Sequence, residues 1–477
     1  MIKNNFRNFN LFSCFPATRL LVLLLVFSSA IATQLFAKDD FLDTCINIAI
    51  QKNKKVIAKE TEIELAKRQL WVTTRSFLPS VSLQRKYSRG KAIDNEYEAE
   101  DVWLKLSQPL YDGNRLSSTH RYYSNALEVA KVEHIKAKEE LIYKIKIAYY
   151  EYFSSVLEMK EIESLLIEIN FYYKKVENEL GAKAISELDL EEGKIFKQKV
   201  DNMYQKAKNN REFSETKLLN LVGIKKLDSI IFPISFTIFE SIPKEIDFEL
   251  QSLKNLVFAN NVDLKKLEFN KIMAKEKGKM ASGKAYPKFY FEGSYGKSGE
   301  AFVSNPLVLA TVWSGMLRLS WLLGGSSVES SYQKDHTLPR EIMDVGTRTD
   351  NTVLDTKIGL FDDMKYFVEK KEADTVKSSL DGDYEEAKYV LLTDLGKFYN
   401  EYYFSLLDAK AADCDLKLKK WRLNVSKKKN ASFEISTVEV MDSIFKVSEA
   451  VLSYTKAVLQ NYTAVTELEK IVLISLR

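Results

Sequence analysis

The sequence has few residues that break helices and few that build catalytic sites. Only 8 prolines and 17 glycines occur in 477 residues, and neither type lies between residues 115 and 179. Two of the three histidines fall in a charged helical stretch and one in a charged insertion, a pattern that suggests neither a triad nor a zinc cluster; they are His120, His134 and His336. Gly296-Lys297-Ser298 resembles the end of a phosphate-binding loop, but Phe291 occupies the position of its first glycine. We therefore predict no enzymatic activity, no catalytic residue, no metal site and no cofactor.

Cysteines and long apolar runs are also scarce. Cys14 lies in the N-terminal segment, and the distant pair Cys45 and Cys414 does not by itself imply a disulfide. After the first 37 residues, no stretch reaches the length and apolarity of a membrane helix. A membrane protein with this sequence would have to cross the bilayer with strands closed into a barrel.

The first 37 residues have the pattern of a signal peptide. Three basic residues, Lys3, Arg7 and Arg19, precede or open an apolar run over residues 20–31, and we predict cleavage after Ala37. A membrane anchor is disfavoured because spanning a bilayer takes about 20 apolar residues. Cleavage removes three of 70 basic and none of 66 acidic residues, so the net charge falls from +4 to +1 (67 minus 66). Nucleic acid is therefore not a predicted partner.

The remaining chain is an internal duplication. Its halves, residues 38–245 and 246–477, align at offsets of 208, 213 and 250, with the length changes between matched blocks. At the offset of 250, Ser186, Leu188 and Asp189 meet Ser436, Val438 and Glu439. Each half is predicted to contain a helix, two strands, a very long helix, a turn and a returning helix.

Two strand pairs are predicted, over residues 79–111 and 286–323, because apolar and polar side chains alternate there. This gives four strands per chain. A soluble sandwich edge would alternate in the same way, but these pairs stand alone between long helices. Aromatic residues suit a girdle at a membrane interface, namely Tyr87, Trp103, Trp313 and Trp321. Four strands cannot close a barrel, so several protomers would have to contribute.

The longest helix is predicted over residues 115–179. Its apolar residues recur at gaps of three and four, which is the pattern of a coiled-coil seam. At about 1.5 Å per residue, such a helix would be roughly 100 Å long.

Four segments together carry a resemblance to a known family: residues 76–83, 104–113, 181–190 and 431–442. In this combination the chain resembles the TolC-type outer-membrane efflux family. The resemblance implies a mixed fold: a homotrimer in which four β-strands per protomer contribute to a 12-stranded transmembrane β-barrel, continued into the periplasm by a long α-helical coiled-coil barrel. It also implies a location in the outer membrane, contact with outer-membrane lipid, and partners in the form of a periplasmic adaptor and an inner-membrane transporter.

The two turns between long helices, near 181–190 and 431–442, form the predicted tips. Ser186 and Ser436 suit N-cap positions of the returning helices. The resemblance implies that the tips contact the adaptor, through Gly181, Ser186, Leu188, Asp189, Ser436 and Val438. It also implies that Glu439 and Asp442 narrow the pore as rings of carboxylates that favour cations. The alternative is that both are solvated first-turn acids that favour the helix dipole.

The sequence departs from the family pattern in three places. Ala431 stands where the tip usually has Gly, Glu439 stands where Asp is common, and the second half has no clear counterpart of Gly113, although Gly324 and Gly325 lie near. An insertion of about 37 residues falls within residues 326–380. We predict that it forms a loop or short helices outside the tunnel wall.

The predicted function is that of a passive exit duct for drugs or small molecules in a tripartite efflux system. One alternative is the outer component of type I protein secretion. Another, from a different class, is a non-conducting periplasmic structural or adhesive coiled coil.

Overall fold

The computed structural model describes residues 40–92, 95–225, 243, 245, 246, 248–337, 349–361 and 363–474. The predicted signal peptide lies outside the described residues. In chain order the helices and strands are α1 (Asp40–Lys52), α2 (Lys54–Arg75), β1 (Ser80–Ala92), β2 (Asn95–Tyr111), α3 (Arg115–Gly181), α4 (Glu187–Val222), α5 (Leu250–Asn260), α6 (Val262–Ser282), β3 (Lys288–Phe302), β4 (Ala310–Leu323), β5 (Ser326–Thr337), β6 (Thr349–Gly359), α7 (Lys365–Ala431) and α8 (Thr437–Val472).

The helix predicted over residues 115–179 is confirmed. Both α3 and its counterpart α7 extend for 67 residues, as expected from the absence or scarcity of proline and glycine in these segments. Many α3 side chains at the predicted seam are buried, namely Leu141, Ile145, Ala148, Tyr152, Ile162, Ile169 and Val176.

The chain divides into two compact units, and the first is entirely helical in its described part. It comprises the chain up to Asn53, residues 141–246 and residues 400–467. Side chains from four long helices fill its core, among them Ile162 and Ile169 of α3, Leu218 of α4, Leu406 of α7, and Met441 and Ile444 of α8. Met441 packs beside Gly193 on α4, where a Cβ would lie 3.4 Å from the Met441 sulfur, an ordinary van der Waals distance.

The second unit contains the sheet together with α2, α5, α6 and the adjoining parts of α3 and α7. Three of its helices are joined at Glu133 of α3, which accepts hydrogen bonds from Lys266 of α6 at 2.7 Å and Lys59 of α2 at 2.8 Å. These bonds, the Lys266 bond first, hold the pKa of the Glu133 carboxyl below its usual value.

All described strands belong to one antiparallel sheet with the order β1-β2-β3-β4-β5-β6. The two predicted strand pairs are confirmed, but the prediction of four strands per chain is wrong, because the sheet has six. The predicted loop or short helices within residues 326–380 are also wrong in the described part, which contains β5, β6 and the start of α7. Gly324 and Gly325 make the turn from β4 into β5 with φ values of 58° and 90°, the backbone that two-residue hairpin turns require.

The sheet has one apolar and one polar face. Alternate residues along a strand lie on opposite sides of the sheet, and paired residues of neighbouring strands lie on the same side, so both faces continue across all six strands. The apolar face consists of exposed side chains, including Val81, Leu83, Tyr87, Leu104, Phe289, Phe291, Tyr295, Trp313, Leu317, Trp321, Tyr332, Leu354 and Ile358. The polar face includes Ser82, Lys105, Glu292, Ser294, Ser314, Gln333 and Asp335. Trp103 lies on the polar face, so its predicted place in an aromatic girdle with Trp313 and Trp321 is wrong.

Two further properties concern cysteines and membrane helices. Cys45 and Cys414 are free thiols, and Cys45 is buried, which raises its pKa to about 11, whereas Cys414 is exposed. Across the described ranges, no helix combines the length and apolarity needed to cross a membrane.

Candidate functional site at the helical tips

The first tip joins α3 to α4 in the helical unit. Lys183 adopts a left-handed φ of 54°. Its N-H donates to the Leu180 carbonyl at 2.8 Å, and the Ala184 N-H donates to the Glu179 carbonyl at 2.9 Å. This pair of bonds is a Schellman motif, which satisfies the last carbonyls of a helix.

The returning helix begins with a capping box. The Asp189 N-H donates to the Ser186 hydroxyl at 3.2 Å, and the Ser186 N-H donates to the Asp189 carboxylate at 2.9 Å. The Ser186 hydroxyl also donates to the Asp189 carboxylate at 2.7 Å. The two bonds that the carboxylate accepts from Ser186, the backbone one first, hold the pKa of Asp189 below its usual value. The predicted N-cap role of Ser186 is confirmed.

The second tip repeats this arrangement 250 residues later. Phe433 has a left-handed φ of 60°, its N-H donates to the Asn430 carbonyl, and the Glu434 N-H donates to the Lys429 carbonyl at 2.9 Å. The Glu439 N-H donates to the Ser436 hydroxyl at 3.2 Å. The backbone turn and the N-cap bond of the returning helix are therefore the same in both halves of the duplication.

The family departure at Ala431 has a simple structural reason. Gly181, at the matched position, is helical rather than left-handed, and open space surrounds its missing Cβ. An alanine therefore fits there without strain. The position that carries the left-handed backbone is two residues later, at Lys183 and Phe433.

The residues predicted to contact the adaptor differ in their exposure to solvent. Gly181, Ser186, Leu188 and Ser436 are exposed and Asp189 is half-buried. Val438, in contrast, is 6% exposed and packs inside the helical unit, so it is not available to a partner in this conformation.

The most exposed large apolar side chain at the tips is Phe433, at 90%. Its backbone conformation costs roughly 1 to 2 kcal/mol in a residue other than glycine, and its ring gains nothing from burial. Phe433 was not predicted from the sequence, although its alignment with Lys183 at the offset of 250 places an aromatic ring in a turn.

A polar network joins the second tip to α3. The Lys175 ammonium donates to the Asn430 side-chain carbonyl at 2.6 Å, and the Thr437 hydroxyl donates to the Glu179 carboxylate at 2.7 Å. The Asn430 amide in turn donates to the Ile435 carbonyl at 3.1 Å. Asn430 and Thr437 are 5% and 2% exposed, so one end of each crossing bond is buried, whereas the charged partners Lys175 and Glu179 are partly exposed. We call these five residues the tip network.

Two ion pairs continue the connection between α3 and α7 away from the tips. Lys420 lies 2.8 Å from Glu161, and Lys427 pairs with Glu168. Apart from the Asn430–Ile435 bond, which lies within the second tip, these contacts link the first helical hairpin (α3 and α4) to the second (α7 and α8) within one chain.

The two predicted constriction residues lie one turn apart near the start of α8. Glu439 is exposed and belongs to the capping box, whereas the Asp442 carboxylate lies 2.5 Å from the Lys446 ammonium. Glu439 also borders a groove of about 310 Å³ whose other charged residues are basic: Lys419, Arg422, Lys429 and Lys446. Glu439 thus lies beside several basic residues, and Asp442 is directly paired with one of them.

The histidines and acidic side chains do not assemble into a metal centre in the ranges that the structure describes. His120 contacts the Phe77 ring edge-on at 6.0 Å between ring centres, and His336 lies 2.6 Å from Asp350 between β5 and β6. Burial lowers the pKa of His134. His120 and His336 therefore make local contacts within the fold, and His134 is half-buried.

Comparison with known proteins identifies the fold. No family model and no curated protein sequence matches the chain. Solved structures do: a membrane protein from Pseudomonas aeruginosa (15% identity, 91% of this chain and 93% of that one, TM-score 0.71), the MtrE outer membrane channel of Neisseria gonorrhoeae in its open state (15%, 92% and 90%, 0.68) and the outer membrane protein VceC from Vibrio cholerae (10%, 92% and 98%, 0.68). The chain thus has the fold of these membrane proteins, among them an outer membrane channel, and the resemblance to the TolC type is confirmed at the level of the fold.

Proposed function

We propose that the chain is the outer-membrane channel of a tripartite efflux system, assembled as a homotrimer and working as a passive duct for small molecules. In this proposal the sheet lies in the outer membrane against lipid, and the tips lie in the periplasm, where an adaptor coupled to an inner-membrane transporter engages them. The likeness in fold to outer-membrane channels supports this assignment.

The observation that carries the proposal is the two-faced sheet. Large apolar side chains on its apolar face are left in contact with solvent in the single chain; Leu83, Leu317 and Leu354 are 74%, 51% and 72% exposed. From Trp313 to Trp321 the apolar face of β4 extends for about 27 Å at about 3.4 Å per residue. Because transmembrane strands tilt by about 40°, this length spans about 21 Å of the apolar band, which is roughly 25 Å tall between aromatic residues.

The polar face suits the inside of a water-filled duct. It surrounds a hollow of about 560 Å³ whose lining includes Ser82, Lys105, Glu292, Ser294 and Asp335. A periplasmic structural coiled coil has no need of a sheet that is apolar on one side and polar on the other, so this rival is disfavoured. Type I secretion uses the same outer component, and the resemblance to efflux proteins is our reason for proposing small molecules as cargo.

We further propose that the tips form the gate. The tip network and the two ion pairs hold the first and second helical hairpins together, and an adaptor that separates these hairpins would open the duct. Glu439 and Asp442 are the proposed constriction. Glu439 is the stronger contributor, because the Asp442 carboxylate is directly paired with the Lys446 ammonium, whereas Glu439 only borders the groove that contains Lys446.

Cysteine labelling of neighbouring residues tests the membrane assignment. In a Cys414→Ser background, Leu83→Cys and Ser82→Cys place a thiol on the apolar and polar faces of the same strand. Lipid should shield the first from a membrane-impermeant maleimide, while the second should react through the open duct. Equal, rapid labelling of both in membrane fractions would contradict the proposal and favour the structural coiled coil.

A further inference from the structure

The hairpin of β5 and β6 is a full part of the sheet. β4 pairs with β5 continuously from Trp313 opposite His336 to Leu323 opposite Ser326, and β5 pairs with β6 from Ser327 to Thr337. β4 therefore has hydrogen-bonded neighbours on both sides, β3 and β5. It has no edge left to offer a neighbouring copy of the chain.

Both faces of the sheet continue across this hairpin. On the apolar face, Leu317 faces Tyr332, which faces Leu354. On the polar face, the side chains of Gln333, Asp335 and Thr337 from β5 line the same hollow as residues from β1 to β4. A hairpin packed outside the sheet would match neither face.

The two outer strands are β1 and β6, since in the described residues β1 pairs only with β2 and β6 only with β5. Neither contains proline, although edge strands commonly use proline to prevent pairing. In hydrocarbon an unpaired backbone group is strongly destabilising, so both edges need a partner. β1 and β6 are antiparallel in a six-stranded meander, and β6 of one copy can therefore pair antiparallel with β1 of the next.

The side chains at these edges are compatible with such pairing. Both edges carry exposed residues of the apolar face, Val81 and Leu83 on β1 and Leu354 and Ile358 on β6. Ser80 opens β1 and Gly359 ends β6, both at the end of the sheet where the chain enters or leaves the helices. The apolar rows of two copies would thus lie at the same level.

We propose that the β5–β6 hairpin lies within the membrane sheet and that β6 binds β1 of a second copy of this chain, so that each copy contributes six strands. This inference rests on the proposed membrane function. In a trimer it gives eighteen strands in place of the twelve expected from the family resemblance. Because barrel diameter grows roughly linearly with strand number, the duct through the membrane would be about one and a half times as wide.

Crosslinking between copies tests which strand of one copy pairs with β1 of the next. In the full-length Cys414→Ser protein, Val81→Cys is combined either with Ile358→Cys on β6 or with Leu319→Cys on β4, and membranes are treated with a flexible bis-maleimide. We expect covalent oligomers from the β6 combination only. Oligomers from the β4 combination, or from neither, would overturn the inference. The Leu83 and Ser82 labelling separately reports whether the sheet enters the membrane at all.

A matched pair of lysine variants gives an independent readout. Leu354 and Val353 are neighbours on opposite faces of β6, and a lysine facing mid-membrane lipid is strongly destabilising. Leu354→Lys should reduce the yield of assembled protein at least about tenfold relative to Val353→Lys. Equal yields from the two variants would place the hairpin outside the lipid and contradict the inference.

Discussion

Removal of the Lys175 ammonium should open the gate. Lys175 donates a hydrogen bond to Asn430 at 2.6 Å across the two helical hairpins. Among the described residues, Lys175 also lies 3.8 Å from Glu179 on its own helix. Lys175→Met keeps the length of the side chain and removes its charge. A hydrogen bond to a charged group contributes about 1.5 to 3 kcal/mol. If opening breaks this bond, the variant should shift the equilibrium toward the open state by about 10- to 150-fold.

Lys174→Met is the matched control, because Lys174 is the adjacent residue and is exposed. Single-channel recordings should show a higher open probability for Lys175→Met and an unchanged one for Lys174→Met. Circular dichroism and oligomeric mass would verify that both variants fold and assemble. An open probability of Lys175→Met equal to that of its control would refute the role of the tip network in closure.

Three further predictions concern the constriction, the adaptor and pH. Glu439→Gln should reduce cation preference in reversal-potential measurements more than Asp442→Asn does, because Lys446 already offsets the charge of Asp442; the opposite order would contradict the assignment. Because the Phe433 ring is 90% exposed at the second tip, we propose that it contacts the adaptor. Phe433→Gly should then weaken adaptor binding in a pull-down while stabilising the tip by about 1 kcal/mol, and unchanged binding would show that the ring does not contact the adaptor. Glu133→Gln should lower the free energy of unfolding by about 1 kcal/mol at pH 7. Because the folded pKa of Glu133 is lowered, this contribution is present above the ordinary carboxyl pKa and is lost as the pH falls through the lowered value. Urea titrations of variant and parent should therefore converge once the pH is below that lowered pKa.

The parts of the fold that depend on local patterns could be predicted from the sequence. A long stretch without proline or glycine predicted α3, and alternation predicted the first four strands. The capping residues Ser186 and Ser436 were predictable because an N-cap needs only a short polar side chain before a helix. The offset of 250 also predicted that the two tips match each other.

The β5–β6 hairpin was missed because its alternation is weak. Ser330 lies between Val328 and Tyr332 on the apolar face, so apolar residues recur only every fourth position in β5. The available signal was Gly324-Gly325 directly after a strand, a pair typical of two-residue hairpin turns. Trp103 was assigned by residue type, although its position between Val102 and Leu104 already placed it on the opposite face.

The tip network had no sequence signal. Lys175 and Asn430 are 255 residues apart, and neither position departs from an ordinary helical pattern. Only the packing of α3 against α7 and α8 brings their polar atoms together. Long-range polar contacts of this kind follow from tertiary structure and cannot be derived from spacing.

The most direct test of the central claim is a planar-bilayer recording of the purified protein, with its oligomeric mass measured in the same detergent sample. The account predicts discrete current steps from a homotrimer. A correctly folded trimer or monomer that inserts no conducting unit would contradict it.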